Sequence, residues 1–172
     1  MANNFVNGST IGVNLQGNSD GATANFALGS HVIGNAGSEW LYVTAINAVT
    51  TGQLVAVNGL FSAQAATATL AFGSAAGSPP QALAFAQGAF AAADFGWVCL
   101  RGDNMAVALS STSTFKIAVY IGTTSGSITS VAGSGTLAGV RLLNCSATAV
   151  VNPASTAILE WPRLNVAATL GQ

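Results

Sequence analysis

The chain has 172 residues, enough for one domain with a sizeable buried core. Only 5% of them are charged while 51% are apolar, the reverse of the balance that keeps a soluble monomer apart from its neighbours. Four basic and five acidic residues exclude the clustered Lys/Arg footprint that phosphate backbones require, and a surface built from Ala, Ser, Thr, Gly and Asn favours assembly over free diffusion.

Residues 1–27 are rich in Asn, Gly and Ser, and their composition cannot bury itself. Phe5, Val6, Ile11, Val13 and Leu15 are spaced so that an extended chain presents them alternately to two sides. The segment reads as an N-terminal arm, either one that docks by strand addition or a frayed end, ahead of a single β domain over 28–172. MANNFVNGST has neither the basic region nor the apolar core of a secretory signal. The uncharged run from Trp40 to Ala93 is broken by Gln, Asn, Gly and Pro before about 20 apolar residues accumulate, so no membrane span is predicted.

From Leu28 onward short strands follow one another. His31 to Ile33 is a strand and Asn35 to Gly37 a turn. Glu39 to Ile46 is a strand with both faces apolar, Trp40, Tyr42, Thr44 and Ile46 on one and Leu41, Val43 and Ala45 on the other, which predicts a central position. Thr50 to Gly52 turns the chain into Gln53 to Val57, and Asn58-Gly59 is a hairpin signal. Ser62 to Gln81 reads as an exposed contact loop with one weak strand around Thr69 to Phe72. Ala82 to Leu109 reads as three strands joined by turns at Asp94-Phe95-Gly96 and Gly102-Asp103-Asn104. Phe115 to Ile121, Ser127 to Val131, Val140 to Ala147 and Ala157 to Leu164 complete a meander. Pro162 places the last strand at an edge or at its own end. The predicted fold is all-β, a compact antiparallel β-barrel or sandwich with an extended N-terminal arm.

Candidate chemistry is sparse. His31, the sole histidine, has no nucleophile motif beside it. Asp94 and Asp103 fall at turn positions that Asp fills for backbone reasons, which weakens them, with Glu160, as a glycosidase pair. Cys99 and Cys145 lie in apolar strands without metal-ligand spacing, and read as buried thiols or as a cross-strand disulfide. No metal or other cofactor is expected. Arg101 is expected to pair with Asp103 or Glu160. Trp40, Trp97 and Trp161 would make a sugar-binding platform if exposed together, but strand positions favour the core.

ADFGWVCLRGDNMAVAL, together with the upstream LGSHVIGNAGSEWLYVTAINAVTTGQLVAV, resembles the capsid decoration (cement) proteins of tailed bacteriophages, over about Leu28 to Arg163. The resemblance implies a non-enzymatic virion structural protein on the outer surface of the head, assembled in the bacterial cytoplasm. It would bind the major capsid protein where subunits meet and act as a homo-oligomer, often a trimer, with no nucleic acid and no membrane as partner. The contacts expected on this reading are Phe5, Val6, Ile11, Val13 and Leu15 in the arm and Arg101 and Asp103 in the body. A carbohydrate- or receptor-binding head or fibre protein is the alternative.

Overall fold

The computed structural model describes residues 15, 20–67, 82–110, 119–130, 136–144 and 155–165. Ten strands form one sheet: β1 (His31–Ile33), β2 (Glu39–Ala45), β3 (Leu54–Val57), β4 (Ser62–Ala65), β5 (Ala82–Ala86), β6 (Phe95–Ala106), β7 (Val119–Ile121), β8 (Ile128–Thr129), β9 (Thr136–Asn144) and β10 (Thr156–Asn165). Their order is β1-β2-β4-β3-β5-β6-β10-β9-β7-β8, and an additional β2–β6 pairing closes β2, β4, β3, β5 and β6 into a five-stranded barrel. Only the β2–β4 pair is parallel among these pairings. The described residues contain no α-helix, so the all-β prediction holds, and the choice between barrel and sandwich resolves to a barrel with extra strands.

The two apolar faces of β2 belong to two different cores. Val43 and Ala45 face a cluster with Val55, Val57, Ala63, Ala84, Ala86, Val98 and Leu100, drawn from every barrel strand. A barrel of five strands has a narrow interior, which is why Ala and Val fill it. Trp40 and Tyr42 face the larger cluster outside the barrel, with Leu54, Phe85, Trp97 and Cys99, and β7, β9 and β10 cover it with Val119, Ile121, Leu137, Val140, Leu142 and Leu159.

Strand β6 serves both layers. Its first half pairs with β2 and β5, and its second half, from Arg101 to Ala106, pairs with β10. The predicted turn at Gly102-Asp103-Asn104 is therefore absent. Its turn chemistry makes a β-bulge instead: Met105 opposes Ala157 and Gly102 opposes Leu159, so β6 has one residue more than β10 there, and Asn104 takes a left-handed φ of 56°. Asp94 does occupy a turn, its carboxylate accepting from the Ala91 N–H at 3.1 Å, but Phe95 and Gly96 already belong to β6.

Two further expectations change. Ser62–Ala65 is β4, a barrel strand and not loop; residues 68–81, with the predicted strand around Thr69 to Phe72, lie outside the described residues. Strand β10 is flanked by β6 and β9, so it is not an edge. Pro162 sits where the β9–β10 register slips between Leu159 and Arg163, and a bulge tolerates its missing N–H. Gly139 faces this bulge with φ 74°, and a Cβ there would stand 2.2 Å from the Glu160 carbonyl oxygen.

The described part of the N-terminal segment packs on the body. Leu15 is 2% exposed within the outer core. The Asp20 N–H donates to the Phe95 carbonyl at 2.7 Å, and Gly21 bridges Phe95. Phe26 meets Tyr42 and Trp97 edge-on, both at 5.3 Å. Leu15→Ala is expected to cost about 2 to 4 kcal/mol in urea unfolding, the penalty of a buried leucine, where a free arm would give no change.

Candidate functional site

Four of the charged side chains fall in register on neighbouring strands. Glu39 on β2 stands opposite Arg101 on β6, and Arg101 stands opposite Glu160 on β10. On β9, Arg141 opposes Ile158, two residues before Glu160, so that it joins the same face. Four neighbouring strands thus carry charges of alternating sign, an arrangement in which adjacent side chains attract.

His31 and Trp161 extend this row. Glu39 accepts from Arg101 Nη1 at 3.1 Å through Oε1, and His31 Nε2 lies 3.4 Å from its Oε2. The His31 ring stacks on Trp161, with centroids 5.8 Å apart and planes inclined by 21°. Trp161 follows Glu160 directly, so contacts and register together form a circuit: Trp161, His31, Glu39, Arg101, Glu160. The Arg101 partner is Glu39, and neither Asp103 nor Glu160 as the sequence predicted. Sequence reasoning missed Glu39 because only the β2–β6 pairing, which nothing local specifies, sets it opposite Arg101.

Two shallow grooves flank Glu160. One, of about 280 Å³, is lined by Gly139, Val140, Arg141, Ile158 and Glu160. The other, of about 240 Å³, is lined by residues that include Arg101, Gly102, Asp103 and Glu160. Asp103, Arg141 and Glu160 are exposed, and their side chains make no hydrogen bond or ion pair among the described residues.

The three tryptophans separate. Trp40 and Trp97 are buried at 0% and 4% exposure, whereas Trp161 is 47% exposed, so a three-tryptophan platform does not exist and the expectation of core packing fails for Trp161. Trp161 has a φ of 54°, strained for a bulky side chain, and the bulge at Pro162 imposes it.

A second surface feature lies around the β3–β4 hairpin. The Asn58 side-chain oxygen accepts from the Leu60 N–H at 2.9 Å and the Ser62 N–H at 3.0 Å, which locks the turn. Leu60 is left 77% exposed. Phe61 takes a φ of 58° and lays its ring over Gly29, beside the exposed Leu28. Exposed Ile46 adjoins them, its N–H donating to the Ala63 carbonyl.

Of the predicted contact residues, Leu15 is consumed by this chain's own core, while Arg101 and Asp103 are exposed and border one groove. Phe5, Val6, Ile11 and Val13 lie outside the described residues. His31 is an exposed strand histidine. Cys99 is a free, fully buried thiol whose Sγ donates to the Arg101 carbonyl at 3.2 Å. Cys145 is outside the described residues. No group of three His, Cys, Asp or Glu among the described residues is placed to hold a metal ion.

No family model matches the chain, and neither a curated sequence nor a solved structure aligns with it significantly.

Two buried groups set a pH limit. Burial, with the hydrogen bond to Asp20, pushes the Tyr42 phenol up to about 12, and burial pushes the Cys99 thiol up to about 12. Both are neutral when protonated. In the unfolded chain the thiol ionises near 9.0 and the phenol near 10.0, so their contribution is complete below about pH 9 and is lost as pH rises toward 12. Urea midpoints measured between pH 8 and pH 12 are expected to fall across that window, less steeply in Cys99→Ala; a flat profile would show that neither group is held neutral.

Proposed function

We propose that the protein is a non-enzymatic virion structural protein that decorates and stabilises the outer surface of a phage capsid at subunit junctions, acting as a homo-oligomer, a trimer. The observation that carries the reading is the hairpin knuckle of Leu28, Ile46, Leu60 and Phe61. A locked turn and a strained backbone hold large apolar side chains in solvent, where the hydrophobic effect rewards covering them. In a chain with four basic and five acidic residues, little charge repulsion opposes such coverage.

The resemblance of the Gly-Trp-Val strand and its flanks to decoration proteins supplies the setting, and the major capsid protein is the partner. Many copies on one head would let a modest single contact hold tightly. The mechanism is mechanical: area buried across a junction resists separation of the subunits on either side.

Two measurements test this. Sedimentation at micromolar concentration is expected to give a trimer, and Leu60→Glu, which leaves the Asn58 turn bonds in place, is expected to weaken pelleting with undecorated heads at least tenfold, about 1.4 kcal/mol. A stable monomer that fails to pellet with heads would overturn the proposal. Imaging of virions that places the density on fibres or tail alone would transfer the protein to receptor binding.

A further inference from the structure

We propose that the Trp161 surface is a binding site for a neutral saccharide, with Trp161 as the stacking platform and Asp103, Glu160, Arg101 and Arg141 as hydroxyl partners. The inference is independent of the capsid reading, which rests on the hairpin knuckle.

The argument starts from strain. A bulky residue at φ 54° is unfavourable, and the bulge that imposes it places an indole in solvent, where it loses the benefit of burial. The ring is nevertheless fixed. His31 stacks on it and is itself within 3.4 Å of Glu39, which Arg101 bonds from the other side. A half-exposed aromatic ring held in place by a neighbour is what the C–H face of a pyranose ring packs against.

The polar surroundings fit the same ligand. Two grooves of about 240 and 280 Å³ meet at Glu160, the residue that precedes Trp161 in β10; Trp161 itself lines neither, and each has room for a monosaccharide unit. Carboxylates accept and guanidinium groups donate, and adjacent sugar hydroxyls offer both functions at a spacing that planar side chains bridge. Asp103, Glu160 and Arg141 are exposed without partners among the described residues, so they keep that capacity for a ligand.

Other ligand classes fit less well. Strand β10 is paired with β6 on one side and β9 on the other from Thr156 to Leu159, which leaves it no open backbone edge between the grooves for a peptide to add to. Acidic groups match or outnumber basic ones around the grooves, with Glu39, Asp103 and Glu160 against Arg101 and Arg141, so phosphate- and sulfate-bearing ligands are disfavoured and an uncharged sugar is not.

Because Trp40 and Trp97 are buried, Trp161 is the tryptophan that reports on solvent. The test uses the full chain and glucose, galactose, mannose, N-acetylglucosamine and their neutral di- to tetrasaccharides as probes. Saturation-transfer NMR is expected to detect at least one of them, with a dissociation constant of about 1 mM and saturable protection of tryptophan fluorescence from acrylamide. Trp161→Ala should abolish the transfer signal with unchanged near-neutral melting. Glu160→Gln and Asp103→Asn, which preserve shape, should each weaken binding about fivefold or more. Absence of a signal from every probe at about 10 mM would overturn the site, as would a signal that survives Trp161→Ala.

Discussion

Strand β6 must pair with the barrel strands over its first half and with the outer strand β10 over its second, and the rest of the molecule follows from that demand. A backbone N–H or C=O left unpaired in the interior costs as much as a lost hydrogen bond, so a strand with neighbours that differ along its length has to change register where they change. It does so between Cys99 and Arg101, where β2 leaves, and again at Asp103-Asn104 against β10. At its far end the Gln87 side chain replaces a strand, donating to the Ala106 carbonyl at 3.1 Å and accepting from the Ala106 N–H at 2.9 Å. Each irregularity turns a side chain that strict alternation would have sent inward, and the charged row forms around them.

The same strand explains how apolar mass is divided. Side chains inside the barrel are small because five strands leave little room, while the large aromatics lie between barrel and outer strands. Tyr42 is central to that layer. It lies 5.0 Å from Trp97 and 6.3 Å from Phe95, and its hydroxyl donates to Asp20 at 2.6 Å while accepting from the Asn25 N–H at 3.1 Å. A buried phenol needs such partners, and residues 20–27 are thereby drawn onto the body.

Both surface features arise from left-handed backbone at bulky residues, Phe61 in a hairpin and Trp161 in a bulge. Such positions cost about 1 to 3 kcal/mol and persist only where surrounding hydrogen bonds over-determine them. Asn58 does this for the hairpin, and the β9–β10 ladder on either side of the slip does it for Trp161.

The sequence by itself determined the strand-rich class and the central place of β2, because two-residue periodicity and two apolar faces are local properties. It also determined the hairpin at Asn58-Gly59, whose turn residues act within a few positions of themselves. Barrel closure was not legible, since the β2–β6 pairing joins residues some fifty to sixty positions apart and nothing local specifies it. Gly-Asp-Asn was misread for a related reason: left-handed φ serves a turn and a bulge equally, and only the strand on the other side decides which forms. The site residues were visible singly, as Arg101, Asp103, Glu160, Trp161 and His31, but their grouping with Glu39 depends on the order of β1, β2, β6 and β10 in the sheet. Burial of Leu15 and exposure of Trp161 were likewise settled by tertiary packing, because hydrophobicity states what a side chain gains by burial but not whether a bulge will turn it outward.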